Sequence, residues 1–564
     1  MNPTVRVHRR KLQRAAISLF LLLALLTLLP GAALAQTRAE KRLARRIDEI
    51  ITRGNARKAF WGIEVYSFDR GRIIYSHNSG RYFTPASVTK LFTIAAALDL
   101  LGEDYRFRTT VETRGKLDDE GRLLGDIILV GRGDPDLAGC ALPYVPPPPP
   151  GERPPPKEED VEGAEDEEEE PCPAGQNLEK LAAQVAAHGV RQVTGNLIVD
   201  TSYFSPEPYG EGWEYEDLVW SYGAPVRALS FADNVITLKV EPGDRVGAKG
   251  KVSWEPFTRQ FEVRNGTWTI PAGLRTQLYV RRDPGTRELD VLGPIALRRR
   301  PRYLAVALEE PAEVAGEFFA QALARAGVQV QGKVEVVYAL APPHPFRSEE
   351  DPGEVLAEHL SLPLAEDVRL ILKNSQNLHT ELLLRLMGRS EPPVTGEDVP
   401  APLRSRFAPP PRRTDGSAEA GIGVLRAWLA NAGLDLEDIS FKDGSGLSQK
   451  NLVTPHAVVG LLRHVVTRPW AGFYFDSLPV AGRDGTLSRR MRRTAAEGRV
   501  RAKTGTLAGN VALAGVVDTR SGERLLFAVF LNHHRLVNSL STDLIDDICV
   551  ALAELPAPPK RKEK

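Results

Sequence analysis

Strand-like sequence at both ends of the chain is the feature that most constrains its fold. Two such segments lie near the N-terminus, at 60–68 and 72–78, and two more lie near the C-terminus, at 511–519 and 524–532. Helical patterns accompany both pairs. Because strands and helices must bury their apolar faces against one another, this arrangement predicts one α/β domain whose sheet combines the two chain ends.

The middle of the chain, about 106–350, is richer in short strands that alternate with turn residues. One helical segment stands out at 313–327, and strand-like sequence follows it at 328–338. The chain has 564 residues, which is too long for one hydrophobic core and indicates several domains. We therefore interpret the middle as β-rich domains inserted into the α/β domain.

A low-complexity segment, 141–176, interrupts this middle region. It contains a run of prolines and then an acidic run from Glu158 to Glu170. Proline favours an extended backbone and like charges repel, so the segment cannot build a core, and we expect a disordered surface loop. A site for calcium or for a basic partner is the alternative. Cys140 and Cys172 flank the acidic run, and both a disulfide and two free thiols stay open.

The N-terminus has the pattern of a secretory signal peptide. Several arginines precede a short apolar core, and the small residues Ala33–Ala35 follow it. This pattern predicts removal of residues 1–35 by cleavage after Ala35 and an exported protein of the periplasm or cell envelope. The alternative, an uncleaved anchor, fits less well because a membrane helix needs about 20 apolar residues. A peripheral contact with the membrane stays open.

Composition excludes several classes of function. Lys plus Arg and Asp plus Glu number 73 each, so there is no basic excess of the kind that nucleic-acid-binding proteins carry. No Cys/His spacing fits a zinc site, and neither a metal nor another cofactor is predicted. Cys549 lies in an apolar stretch and is expected to be a buried small hydrophobe.

The segment from Ser87 to Lys90 is the first candidate for chemistry. On a helix, residues i and i+3 share a face, so the amine of Lys90 can reach the hydroxyl of Ser87. A serine nucleophile needs a base, and a lysine serves as one when burial or a nearby cation lowers its pKa. The pattern alone is weak, because an ordinary surface helix can contain it.

Two further motifs lie downstream of this pair. Ser375–Asn377 precedes a helical apolar run, and Lys503–Gly505 precedes an alternating strand. A lysine beside a hydroxyl suits an edge strand that binds a substrate carboxylate, and glycine lets the substrate backbone approach closely. The order Ser-x-x-Lys, Ser-x-Asn, Lys-Thr-Gly is typical of penicillin-binding proteins and serine β-lactamases.

With these motifs, the chain resembles the class C low-molecular-mass penicillin-binding proteins, the D-alanyl-D-alanine carboxypeptidase/endopeptidases. Further segments carry the resemblance: Gly131–Leu137, Val193–Phe204, Tyr222–Asn234, Phe441–Pro455 and Leu478–Met491. The long gap between Ser87 and Ser375 also fits this family, whereas β-lactamases have a shorter one. The resemblance implies an α/β (α+β) serine β-lactamase/transpeptidase-like domain, built from both chain ends, with two nested β-rich inserted domains.

The resemblance also implies domain boundaries. The penicillin-binding/D,D-peptidase catalytic domain would comprise 36–105 and 351–556, the first inserted domain 106–225 and 312–350, the second inserted domain 226–311, and the tail 557–564.

The catalytic roles are likewise implied by the resemblance. Ser87 attacks the carbonyl carbon between two D-alanines and forms an acyl-enzyme, with Lys90 as its base. Ser375 relays a proton toward the leaving D-alanine, and Asn377 holds the acyl amide of the substrate and orients Lys90. Water then deacylates the enzyme, and no metal is needed.

Substrate contacts follow from the same resemblance. Lys503 and Thr504 bind the terminal carboxylate, with Gly505 beside them. The backbone N–H groups of Ser87 and Thr506 form the oxyanion hole. The implied partners are peptidoglycan stem peptides ending in D-Ala-D-Ala, and β-lactam antibiotics as covalent inhibitors. Carboxypeptidase and endopeptidase activity both stay open, as do two alternatives: a β-lactamase or esterase on the same fold, and a wall-binding protein without activity.

Overall fold

The computed structural model describes residues 37–137, 142–146, 174–283, 285–338, 353–389 and 414–557. The predicted signal peptide, the acidic run, Cys140 and Cys172 lie outside these residues. The helices are α1 (Arg38–Ile51), α2 (Lys90–Leu101), α3 (Gln176–Ala187), α4 (Pro311–Arg325), α5 (Leu364–Asn374), α6 (Asn377–Met387), α7 (Ala418–Asn431), α8 (Pro455–Val465), α9 (Ala471–Asp476) and α10 (Asn538–Ala553). Within the described ranges, no helix combines the length and apolar character needed to cross a membrane.

The strands fall into several sheets. They are β1 (Phe60–Ser67), β2 (Arg72–His77), β3 (Arg108–Thr113), β4 (Lys116–Leu117), β5 (Arg122–Leu124), β6 (Ile127–Val130), β7 (Gln192–Val193), β8 (Leu197–Asp200), β9 (Val235–Glu241), β10 (Lys251–Glu255), β11 (Glu262–Ile270), β12 (Tyr279–Arg282), β13 (Glu288–Ala296), β14 (Arg302–Ala307), β15 (Gln329–Val330), β16 (Val334–Val337), β17 (Glu354–Leu360), β18 (Ile439–Ser440), β19 (Leu452–Val453), β20 (Val500–Leu507), β21 (Asn510–Asp518) and β22 (Arg524–Asn532).

A five-stranded sheet in the order β2-β1-β22-β21-β20 combines the two chain ends, as predicted. Strand β1 pairs antiparallel with β22 along its whole length. Successive side chains of a strand point to opposite faces, so Phe530 packs in one core with α2, α6, α7 and α8, and Val529 packs in another with α1 and α10. The buried Cys549 of α10 belongs to this second core, as expected.

Helix α1 begins where the sequence supplies a cap. The Thr37 hydroxyl accepts a hydrogen bond from the Glu40 N–H (3.2 Å), and the Glu40 carboxylate accepts one from the Thr37 N–H (2.7 Å). Its apolar face, which includes Leu43 and Ile47, covers the sheet. Helix α1 and the sheet therefore share one core.

The middle of the chain forms a further five-stranded sheet, β16-β8-β6-β3-β17, and a smaller one, β15-β7-β5-β4. The segment 328–338, expected as one strand, is two short strands in two sheets. Strand β17 pairs with β3, so Glu354–Leu360 lies in the sheet of the insertion, beyond the boundary at 350. We therefore propose that this inserted domain ends near residue 361.

Two three-stranded sheets, β10-β9-β14 and β11-β13-β12, lie within the proposed second insertion, 226–311. Strands β11 and β13 are parallel, and the others in these sheets are antiparallel. Apolar residues of these strands, such as Leu238 and Val291, share one core with Val111 of β3 and Phe319 of α4. The two proposed insertions thus share one core, and the segment Tyr222–Asn234 leads from one into the other.

Candidate active site

Ser87 lies in a single 3₁₀ turn, Ala86–Thr89, and α2 begins directly after it at Lys90. The turn and the helix bring the Nζ atom of Lys90 to 3.0 Å from the Oγ atom of Ser87. Helix α2 is buried on all sides, because nearly every residue from Lys90 to Leu98 is apolar. The lysine is therefore anchored inside the protein rather than at its surface.

Lys90 has two further partners from distant parts of the chain. Its Nζ atom donates to Oδ1 of Asn377 (2.5 Å) and to the backbone carbonyl of Ser445 (2.7 Å). Burial of the amine lowers the pKa of Lys90 to about 7, although Asp443 and Glu381 pull in the other direction. Near neutral pH a large share of Lys90 is thus an uncharged amine that can accept a proton.

The loop that presents the Ser445 carbonyl is held by two buried carboxylates. Glu381 accepts hydrogen bonds from the N–H groups of Gly444 (2.9 Å) and Ser445 (2.7 Å). Asp443 accepts from the N–H groups of Gly446 (2.9 Å) and Ser448 (2.7 Å). Sequence reasoning noted this segment only as part of a resemblance, because its role depends on contacts with α2 and α6.

Ser375 lies between α5 and α6 and adopts a left-handed backbone with φ of +63°. Its Oγ atom accepts a hydrogen bond from Nζ of Lys503 (2.9 Å), which also donates to the carbonyl of Thr504 (3.0 Å). Burial lowers the pKa of Lys503 well below its usual value, and the nearby Lys90 lowers it further. The structure therefore places two buried lysines beside two serine hydroxyls.

Strand β20, which carries Lys503–Gly505, is an edge strand of the five-stranded sheet, as predicted. A Cβ atom at Gly505 would lie 2.6 Å from the carbonyl oxygen of Pro85 and 3.1 Å from Cβ of Ala86. Glycine is thus required here by the backbone just before Ser87, whereas the sequence argument assigned the close approach to a substrate. This contact brings the edge strand next to the turn of Ser87.

The side chains of β20 divide between two faces. Lys503 and Gly505 are buried, Thr504 is half-buried and Thr506 is exposed. The hydroxyl of Thr504 lies 2.8 Å from the hydroxyl of Thr486, and Thr486, like Thr506, is exposed. Sequence reasoning missed Thr486, although it falls inside the segment Leu478–Met491 that carries part of the resemblance.

The loop of Thr486 is tied to helix α5. Nζ of Lys373 donates to the carboxylate of Asp484 (2.7 Å) and to the carbonyl of Leu478 (2.7 Å). Asp484 in turn accepts from the N–H of Val480 (2.8 Å). Since Lys373 lies two residues before Ser375, this ion pair connects the motif at the end of α5 with the hydroxyl pair on the edge strand.

Comparison with known proteins identifies relatives of this chain. A family model described as the D-Ala-D-Ala carboxypeptidase 3 (S13) family matches residues 43–405 and 411–554. The D-alanyl-D-alanine carboxypeptidase of Actinomadura sp. (strain R39) is 33% identical over 535 residues, which cover 93% of this chain and 86% of that protein.

Two solved structures are similar in fold. Penicillin binding protein 4 (dacB) from Haemophilus influenzae matches with a TM-score of 0.67 at 23% identity, over 91% of this chain and 98% of that one. Its complex with a novel β-lactam matches with a TM-score of 0.63 at 22% identity, over 90% and 98% of the two chains. This likeness confirms the predicted fold class.

Proposed function

This chain belongs to the S13 family of D-Ala-D-Ala carboxypeptidases, and we propose that it cleaves peptidoglycan stem peptides through an acyl-enzyme on Ser87. The observation that carries this proposal is the 3.0 Å contact between Ser87 Oγ and the fully buried Nζ of Lys90. A hydroxyl beside a buried amine of lowered pKa is a nucleophile with its base.

In the first step, neutral Lys90 takes the proton of Ser87, and Oγ attacks the carbonyl carbon of the penultimate D-alanine. The electrons of the carbonyl double bond move to its oxygen, which becomes an oxyanion. The backbone N–H groups of Ser87 and Thr506 would stabilise this oxyanion, and a single donor of this kind supplies about 3–4 kcal/mol in other enzymes. The packing of Gly505 on Pro85 supports this assignment, because it holds the backbone of β20 next to the backbone that precedes Ser87.

In the second step, the carbon–nitrogen bond breaks and D-alanine leaves. Its nitrogen needs a proton, and Ser375 would supply it from its hydroxyl while accepting one from Lys503, which lies 2.9 Å away. The proton that Lys90 took from Ser87 then passes to Lys503, so both lysines regain their starting states. Water attacks the ester on Ser87, and Lys90 takes a proton from the water and gives it to the Ser87 oxygen as the ester bond breaks, which releases the shortened peptide. Each proton taken in acylation is thus returned before the next cycle.

Substrate recognition would use the edge strand. Lys503, Thr504 and Thr486 together offer an amine and two hydroxyls to the terminal carboxylate. Asn377 has a different place, because Oδ1 accepts from Lys90 and Nδ2 donates to the carbonyl of Tyr222 (2.9 Å). Each polar end of Asn377 has a partner in the protein, so we assign it first to the orientation of Lys90. Its amide nitrogen carries a second hydrogen, which would serve the acyl amide of the substrate.

β-Lactam inhibition and export complete the proposal. A β-lactam would acylate Ser87 as the peptide does, and the β-lactam complex of the H. influenzae protein supports this inference. Peptidoglycan lies outside the cytoplasmic membrane, which is consistent with the predicted signal peptide and a place in the periplasm or cell envelope. Endopeptidase activity would use the same residues when the leaving amine belongs to a cross-linked peptide.

The test is digestion of purified peptidoglycan fragments, with Ser87→Ala as the control. The proposal predicts release of free D-alanine from pentapeptides by the wild-type protein and none above background by the variant. Loss of cross-linked dimers in the same digest would show endopeptidase activity. Release of D-alanine by Ser87→Ala would refute the assignment of the nucleophile.

A further inference from the structure

His379, two residues after Asn377, is fully buried between two carboxylates. Its Nδ1 lies 2.6 Å from Oδ1 of Asp367 on α5, and its Nε2 lies 3.2 Å from Oδ1 of Asp233. Burial by itself favours the neutral ring, but the two carboxylates outweigh it and raise the pKa of His379 to about 10. The ring is therefore a buried cation that donates from both nitrogens.

Asp233 contacts the Ser-x-Asn motif at a second point. Its Oδ2 atom accepts a hydrogen bond from the side-chain amide of Gln376 (3.1 Å). The other end of the Gln376 side chain accepts from the N–H of Leu378 (3.0 Å) and caps helix α6. The carboxylate of Asp233 thus binds residues on both sides of Asn377. These are Gln376, directly before it, and His379, two residues after it.

The backbone around Asp233 is shaped for this contact. Ala232, Asp233 and Asn234 all have positive φ, at +51°, +52° and +57°. The side chain of Asn234 closes the turn, because it accepts from the N–H of Phe231 (2.9 Å) and donates to the carbonyl of Pro225 (2.8 Å). Three successive residues in a sparsely populated region are a strained arrangement that the surrounding contacts must hold in place.

We propose that the Asp367–His379–Asp233 bridge is a positioning device that sets Ser375 and Asn377 against the two site lysines. The bridge joins α5, which ends directly before Ser375, to α6, which begins at Asn377, and fixes both to the inserted segment. Asn377 adds a parallel link through the carbonyl of Tyr222. Substrate need not touch His379 for this role.

Charges around the bridge come from three elements. Asp367 lies on α5, Asp233 lies in the inserted turn, and Asp134, in the loop after β6, also interacts electrostatically with His379 and Asp367. Loss of the Asp233 charge would leave the cation with less compensation, and the pKa of His379 would fall. The ring would then lose its charge at a lower pH than in the wild-type protein.

The test is Asp233→Asn, because asparagine tolerates the left-handed backbone and keeps the size of the side chain. The inference rests on the proposed acylation of Ser87, so the wild-type rate of acylation by fluorescent penicillin is measured first. No acylation of folded wild-type protein would count against the proposed function itself. The matched control is His456→Asn, since His456 pairs with Glu64 at 3.1 Å outside this bridge.

We expect Asp233→Asn to acylate about 10- to 100-fold more slowly, with a larger change in the maximal acylation rate constant than in the penicillin concentration that gives half of it. Its rate should also decline in the alkaline range in which the wild-type rate stays level, while His456→Asn matches the wild type. His379→Gln should show the same loss in the acylation rate constant. A wild-type rate and pH profile in folded Asp233→Asn would overturn the inference. So would a slower rate with an unchanged pH profile and a lowered unfolding midpoint, since that describes a purely structural role.

Discussion

The Nζ atom of Lys90 lies 3.0 Å from the Oγ atom of Ser87. Lys90 is the first residue after the turn Ala86–Thr89, which carries the serine. The proximity is local, but the surroundings that set the basicity of the amine are not. Asn377 and the Ser445 carbonyl, which complete the shell of Lys90, lie 287 and 355 positions away in the chain. The contact between Ser87 and Lys90 therefore follows from their closeness in sequence. The environment that lowers the pKa of Lys90 depends on segments far away in the chain.

The rate of Ser87 acylation should depend on pH through Lys90. Lys90 is a base only when neutral, and its pKa is lowered to about 7, so the rate should rise through neutral pH and then level off. At pH 5 the neutral fraction is about 1%, which predicts a roughly 100-fold slower reaction. Stopped-flow acylation between pH 5 and 9 measures this, and a flat profile would contradict the role of Lys90 as base.

Lys503→Ala should lower kcat/KM for substrates that carry a free terminal carboxylate. A hydrogen bond to a charged group contributes about 1.5–3 kcal/mol, so kcat/KM should fall roughly 10- to 150-fold. The same peptide with an amidated C-terminus serves as control and should lose less, because only the proton transfer from Lys503 to Ser375 is impaired and no carboxylate contact is lost. Equal losses on both peptides would argue that Lys503 acts on Ser375 rather than on the carboxylate.

Thr486→Val should raise KM more than it lowers kcat, because the hydroxyl pairs with Thr504 at the edge of the site. A neutral hydrogen bond contributes about 0.5–1.5 kcal/mol, which predicts a change of roughly 2- to 10-fold. Thr467→Val removes a hydroxyl that only bonds the carbonyl of His464 and should leave KM unchanged. If both variants behave alike, Thr486 has no part in substrate binding.

Glu381→Ala should destabilise the protein strongly. The residue is fully buried, pairs with Arg385 at 3.2 Å and accepts two backbone N–H groups of the loop beside Lys90. Removal of one partner of a buried ion pair lowers the free energy of unfolding by about 3–5 kcal/mol. Urea unfolding measures the change, and the exposed Glu49→Ala on α1 should change it by less than about 0.5 kcal/mol. Equal midpoints for the two variants would contradict the structural role of Glu381.

The sequence predicted the parts of this molecule that depend on local pattern. Strands β1, β2, β21 and β22 follow from alternating apolar residues, and their union in one sheet follows from the need to bury both ends of the chain. The three motifs marked Ser87, Ser375 and Lys503 because their residue types and order are distinctive.

Other contacts between distant segments escaped prediction. In the sequence, Glu381 and His379 are ordinary polar positions of an apolar helix. Only the fold shows that the loop Gly444–Ser445 binds Glu381 and that the turn with Asp233 binds His379. The contact that requires glycine at 505 was missed for the same reason, since Pro85 approaches it from another segment. The pairing of β17 with β3 likewise joins residues that no local pattern connects.

The measurement that tests the central claim most directly is labelling of the purified mature protein with fluorescent penicillin, with Ser87→Ala alongside and loss of label followed over time. The proposed function predicts stable labelling of the wild-type protein and none of the variant. Equal labelling of folded Ser87→Ala, or no labelling of folded wild-type protein, would contradict the acyl-enzyme on Ser87. Rapid loss of label would contradict the assignment of a peptidase and indicate a β-lactamase.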